Sequence, residues 1–127
     1  MSSVTGKSFP PVESRIERDR VRAFARAIGA DPEAGVPPTY AAVYALFSTA
    51  AQLFGDPEAD VDFTHLLHAE QEFTWSRHPE LDEVVLASGT VEEDADRRNL
   101  RFLTFATGVT SEGEPLCRSR MVNVIRG

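Results

Sequence analysis

Two hydrophobic periods divide this chain. Up to Gly55, apolar side chains recur three and four positions apart; from His65 onward they alternate one by one. In the first part Ile16, Val21, Phe24, Ala25 and Ile28 keep one helical face, and Gly29 supplies a stop. Ser14-Arg15-Ile16-Glu17 fits a capping box, with the Ser accepting an amide three residues on and the Glu reaching back. Arg15, Arg18, Arg22 and Arg26 fall on the other face, either as solvated charges or as a docking surface for an acidic partner. A second helix is predicted over Tyr40–Phe54, with Thr39 as N-cap and Gly55 as its end. Val43, Leu46, Phe47, Ala50, Leu53 and Phe54 recur at helical spacing, and alanines fill most of the rest. A helix apolar on nearly every side is buried on nearly every side.

The strands follow a loop at Asp56–Asp62. Along the first of the later strands, Ala69, Gln71, Phe73 and Trp75 point one way and His68, Glu70, Glu72 and Thr74 the other. Leu81–Val91 is the next strand, Glu93–Asn99 a charged turn, and Leu100–Val109 a strand with Leu103, Phe105, Thr107 and Val109 on one side. Ser111–Glu114 reads as a hairpin turn, and Leu116–Ile125 as the last strand, with Met121 and Ile125 opposite Val122 and Val124. Gly6 to Phe9 reads as a short first strand ahead of Pro10-Pro11. Long antiparallel strands need one face covered, and the Tyr40–Phe54 helix is the only large apolar body available. The pattern therefore predicts an α+β fold, a curved antiparallel sheet wrapped around one long central helix, in a single domain over residues 1–127. Such a sheet leaves an edge strand open, which favours dimerisation.

Composition narrows the function only a little. Twenty acidic against 13 basic residues give a formal charge of −7, which argues against non-specific nucleic-acid or anionic-membrane binding. The single cysteine, Cys117, excludes an intramolecular disulfide, and the start carries no apolar leader, so a cytoplasmic protein is expected. No residue from Ala34 to Gly55 is charged, but the Pro-Pro pair and polar residues within it favour a buried helix over a membrane span. Three histidines lie far from Cys117 and lack zinc-site spacing, so no metal is expected. No Gly-rich phosphate loop or nucleophile elbow is present.

Several segments, in order, resemble MaoC-like hot-dog dehydratases, specifically their N-terminal-type half. These are Ser8-Phe9-Pro10-Pro11, Phe24-Ala25-Arg26-Ala27-Ile28-Gly29, Pro37-Pro38-Thr39-Tyr40, and His68-Ala69-Glu70-Gln71-Glu72-Phe73. Trp75-Ser76-Arg77-His78-Pro79 and the ending Val122-Asn123-Val124-Ile125-Arg126-Gly127 complete the set. The resemblance implies a hot-dog fold, a dimer, and a channel for an acyl thioester of coenzyme A or of acyl-carrier-protein phosphopantetheine, with no other cofactor. Active relatives are hydratases or dehydratases of (3R)-hydroxyacyl thioesters, and they carry a Gly-Asp-x-Asn-Pro-x-His motif after the first helix. Here that segment is Gly29-Ala30-Asp31-Pro32-Glu33-Ala34-Gly35. Asp31 is displaced by one position, the Asn is absent, and no histidine precedes His65. Only seven residues separate Gly29 from Pro37, so the usual overhanging loop is missing.

The chain thus resembles the non-catalytic subunit of a heteromeric dehydratase, whose partner is a catalytic MaoC-like subunit and whose setting is fatty-acid or polyketide biosynthesis. A homodimer with relocated chemistry (dehydratase, isomerase or thioesterase) and an acyl-thioester-binding module are the alternatives. His68 and Asp31 are the candidate catalytic residues; the plainer readings are a strand-start histidine bonded to backbone for His68 and a turn cap after Gly29 for Asp31. Tyr40, Glu70, Gln71 and Trp75 are candidate channel-lining residues. His65 and His78 read as loop and turn residues.

Overall fold

The structure, a computed structural model, describes residues 3–126; Met1, Ser2 and Gly127, the last residue of the family-like ending, lie outside the described residues. The chain forms β1 (Val12–Arg15), α1 (Arg18–Ala27), a central helix, β2 (Leu66–Trp75), β3 (Val84–Arg97), β4 (Leu100–Ser111) and β5 (Glu114–Arg126). The strands make one sheet in the order β1-β3-β4-β5-β2, with every neighbouring pair antiparallel. Among the described residues no helix is long and apolar enough to cross a membrane.

The central helix is not uniform. A 3₁₀ turn at Pro38–Tyr40 opens it, a π-helical stretch follows at Ala42–Phe47, and α2 (Ser48–Phe54) completes it up to Gly55. Thr39 does not cap it; Pro37 holds the extended N-cap conformation. The π turn changes the residue spacing, because its hydrogen bonds reach five residues instead of four. Phe47, predicted on the buried face, is consequently 65% exposed, while Leu46, Thr49, Ala50 and Leu53 stay buried. Thr107 on β4 shares a buried 3.1 Å hydroxyl–hydroxyl hydrogen bond with Thr49, tying α2 to the sheet.

Two core clusters fill the space between helix and sheet. One gathers Tyr40, Tyr44, Val85, Leu116 and Cys117, with Val21 of α1; Phe24 packs edge-on against Tyr40 at 5.2 Å. The other gathers Leu53, Leu103, Phe105, Met121 and Ile125. Gly89 leaves room for the Phe105 ring, since a Cβ there would lie 2.1 Å from Phe105 Cζ.

Four local expectations change. Ser14 pairs with Val85 in β1 instead of capping α1, which begins after an extended Glu17 that makes no side-chain cap and pairs with Arg20 at 2.9 Å. The ladder to β3 claims the backbone that the capping box needed. Gly6 to Phe9 runs beside β3 through alternating bonds to Val91 and Gly89, but only Ser8–Thr90 forms a bridge, and Pro10-Pro11 separates it from β1. The charged turn is much shorter than Glu93–Asn99. β3 continues to Arg97, and Arg98-Asn99 alone make the turn, both with positive φ (53° and 65°). A bulge at Glu92 turns Asp94 to the inner face opposite Leu103, where Arg101 neutralises it.

The fourth change concerns β2. Its pairing with β5 shifts between His68 and Glu70, so Ala69 is an extra bulged residue. Leu66 and His68 pair with Ile125 and Asn123, and Gln71, Phe73 and Trp75 with Met121, Ser119 and Cys117. His68 therefore shares the inner face with Gln71, Phe73 and Trp75, not the outer face with Glu70 and Glu72. A one-residue bulge reverses the alternation on one side of it.

Arg77 closes the bottom of the sheet, bonding both oxygens of Glu83 (2.9 and 2.7 Å) and Glu114 Oε1 (3.0 Å). The Arg77 guanidinium pulls the Glu83 carboxyl down to about 2 from its ordinary 4.5. A carboxyl with a depressed folded-state pKa stabilises the fold above its unfolded pKa and loses that contribution as pH falls through the folded value. Arg77→Met is expected to lower Tm by a constant amount near neutral pH, with the gap to the unaltered chain narrowing between pH 4.5 and about 2. Melting curves from pH 7 to pH 2 check this; a gap that widens on acidification would refute the assignment.

Candidate functional site

The segment after α1, where the resemblance places the catalytic motif, folds into a closed turn. Asp31 Oδ1 accepts the Glu33 amide at 2.9 Å, and the Ala34 amide bonds Asp31 O at 3.2 Å. Gly29 and Gly35 bracket the turn at φ 77° and 88°, conformations that glycine adopts without Cβ strain. Asp31 is exposed, and Glu33 reaches back to Arg22 at 3.6 Å. The carboxylate thus caps its own loop, as Asp commonly does.

His68 stands elsewhere, on the inner face of the open edge strand. Its Nε2 lies 3.1 Å from Gln71 Oε1, and the Gln71 amide nitrogen donates to Glu72 O at 3.4 Å. The hydrogen bonds of His68 and Asp31 join neither to the other. Acid–base exchange between a carboxylate and an imidazole requires hydrogen-bond reach or one bridging water.

The other candidate residues separate by face. Glu70 is exposed on the outer face opposite Val122, beside a shallow groove shared with Glu72 and Arg120. Tyr40 is buried in the core, and burial pushes its hydroxyl pKa up. Trp75 is half-buried on the inner face, stacked on Phe73 at 5.7 Å and tilted against His78 at 5.2 Å. Among the described residues neither its indole Nε1 nor the buried Tyr44 hydroxyl makes a hydrogen bond of good geometry, although the indole and Cys117 lie close enough to that hydroxyl to influence its pKa. Burial raises the pKa of both that hydroxyl and the Cys117 thiol, leaving Cys117 a protonated core side chain and not a nucleophile. His65 bonds Asp62 at 2.7 Å in the loop before β2.

Sequence reasoning did not single out Asn123. It is fully buried between Met121 and Ile125 on the inner face of β5, directly across from His68. Its Nδ2 donates to Leu103 O at 3.3 Å, and its Oδ1 has no partner among the described residues. The available signal was an amide in phase with Met121 and Ile125 in an otherwise apolar alternation.

An antiparallel five-stranded sheet packed on one central helix, with a ten-residue strand free at its edge, defines a hot-dog domain. Residues 3–119 match the FAS1-like, dehydratase domain region, and the chain belongs to that family of MaoC-like hot-dog proteins. A UPF0336 protein of Clavibacter michiganensis subsp. michiganensis is 33% identical over 127 residues, covering 88% of this chain and 85% of that protein. A UPF0336 protein of Saccharopolyspora erythraea is 29% identical over 142 residues, covering 98% and 90%. The fold is similar to that of the HadBC (3R-hydroxyacyl-ACP dehydratase) complex of Mycobacterium tuberculosis, with a TM-score of 0.80 at 16% identity over 97% of this chain and 98% of that one. HtdX of the same organism superposes with a TM-score of 0.79 at 20% identity, covering 94% of this chain and 51% of that one. The ChsH1-ChsH2 complex, also from M. tuberculosis, gives a TM-score of 0.72 at 12% identity over 94% and 84%.

Proposed function

We propose that this chain is the accessory, non-catalytic subunit of a (3R)-hydroxyacyl-thioester dehydratase. It pairs with a catalytic MaoC-like subunit and forms part of the wall of the acyl channel. The observation that carries this reading is the Gly29–Pro37 segment. Both of its carboxylates are engaged locally, Asp31 with its own loop and Glu33 with Arg22, and no imidazole lies within that segment. The open β2 edge supports a hot-dog partner, since an unpaired strand adds another by backbone hydrogen bonding. Two of the similar structures are themselves two-component complexes, HadBC and ChsH1-ChsH2. The substrate is an acyl thioester of acyl-carrier protein or coenzyme A, handled in the cytoplasm during fatty-acid or polyketide synthesis.

The test mixes the purified chain with MaoC-like proteins that carry an intact Gly-Asp-x-Asn-Pro-x-His motif and follows hydration of a crotonyl thioester. The mixture is expected to exceed the lone chain by about 100-fold or more, the usual worth of a positioned acid–base group. If the lone chain hydrates as fast as any mixture, the accessory role is wrong. That result would favour the second reading, a homodimer with relocated chemistry, for which the Gln71-held ring of His68 is the supporting observation; His68→Ala would then abolish the rate.

A further inference from the structure

The open edge of the sheet carries charge of one sign. β2 is paired on one side only, with β5. From Val61 to Ser76 the chain holds Asp62, Glu70 and Glu72 but no lysine or arginine. Asp62 is occupied by His65 at 2.7 Å. Glu70 and Glu72 are exposed and neighbour each other on the outer face. Arg120 stands across from Glu72 in the ladder, but its guanidinium is bonded to Glu92 on β3 at 2.9 Å. The flank beside this edge is apolar. Phe63, in the 3₁₀ turn that leads into β2, packs edge-on against Phe54 of α2 at 5.0 Å. Phe47 lies seven residues before Phe54, about two helical turns, and so on nearly the same side of the helix. Phe47 and Phe63 are both exposed. An unpaired strand bordered by exposed aromatic rings is a surface that a second strand covers, by backbone hydrogen bonds and side-chain burial together.

A second copy of this chain covers that surface badly. A two-fold axis lays β2 antiparallel to itself. Residues directly opposite each other in an antiparallel pair share a face, so a continuous sheet sets outer residues against outer residues. With the axis at Glu70, Gln71 or Glu72, at least one carboxylate lies directly opposite a carboxylate of the copy. Like charges in that position destabilise the pair, and opposite charges stabilise it. We propose that this edge rejects its own copy and takes up the edge strand of a different chain, one with lysine or arginine opposite Glu70 and Glu72 and apolar side chains against Phe47 and Phe63. The inference rests on the accessory-subunit reading above and deepens it, by describing the partner through the chemistry of its rim.

The probe is the chain itself with its edge charge reversed, Glu70→Lys with Glu72→Lys. Both positions are exposed, so the exchange leaves the core untouched. Sedimentation velocity compares the unaltered chain, the reversed chain and their equimolar mixture. The mixture is expected to form a heterodimer about 10-fold or more tighter than either homodimer, with the margin shrinking as salt is raised to about 0.5 M. Hydrogen exchange in the mixture is expected to slow at the solvent-facing amides of β2, which a contact elsewhere on the surface would not do. Glu70→Gln with Glu72→Gln removes the repulsion without adding a cation. That chain is expected to self-associate about 3-fold or more tighter than the unaltered one. A mixture no tighter than the homodimers, an unaltered homodimer as tight as that of the Glu70→Gln, Glu72→Gln chain, or association without protection of β2 each overturns the inference. The hydration assay reads activity and these experiments read edge pairing, so the accessory role and the choice of partner can fall separately.

Discussion

Arg101→Leu is expected to cost the fold about 3–5 kcal/mol, the usual result of stripping a buried charge of its partner. The Arg101 and Asp94 side chains are 9% and 6% exposed and pair at 2.8 Å. Burial works against the Asp94 charge; the Arg101 guanidinium and the Val4 amide overcome it and hold the carboxyl below the ordinary range. Three segments converge on this pair. Asp94 takes the Val4 amide at 2.9 Å, and Arg101 donates to Asp60 O at 3.1 Å. Removing the guanidinium therefore leaves an uncompensated carboxylate and loosens both the N-terminal segment and the loop before β2. Urea unfolding of Arg101→Leu and of the Arg101→Leu, Asp94→Leu double variant separates these effects. The double variant should recover much of the loss, because an apolar pair carries no desolvated charge. A single variant within about 1 kcal/mol of the unaltered chain would show that Asp94 is well solvated after all.

Phe105→Ala is expected to cost a similar amount, about 3–5 kcal/mol, by the same urea measurement. The ring is fully buried, meets Phe9 edge-on at 6.0 Å, and occupies the space that Gly89 leaves above β3. Truncation opens a cavity beneath the central helix that Gly89 cannot fill, and the neighbouring strands are long ladders with little freedom to collapse. A loss below about 1.5 kcal/mol would mean the site closes over the gap, as volume-conserving exchanges do.

The alternation of Leu103, Phe105, Thr107 and Val109 made the inner face of β4 legible in the sequence, because period-two patterning is unambiguous wherever no bulge intervenes. The same reasoning misplaced His68, since one inserted residue at Ala69 exchanges the two faces and leaves no mark in composition. It also misread Glu93–Asn99 as a turn, because three charged side chains there stay within a strand by pairing: Asp94 with Arg101, and Arg97 with Glu93 and over the Phe102 ring. Long-range partners cannot be read from local polarity. The missing catalytic motif was visible directly, as a count of residue types between Gly29 and Pro37. Asn123 was not, because its significance arises only when β5 lies beside β2.

The free rim of β2 also bears on how the chain behaves at high concentration. The outward-facing backbone groups of this ten-residue edge strand are a template for any extended chain, and Leu67, 64% exposed, adds a greasy foothold. Two features blunt that hazard: the kink at Ala69, which breaks the flat run, and the carboxylates of Glu70 and Glu72, which repel an identical copy laid against them. Identical copies are thus discouraged from stacking edge to edge into fibrils.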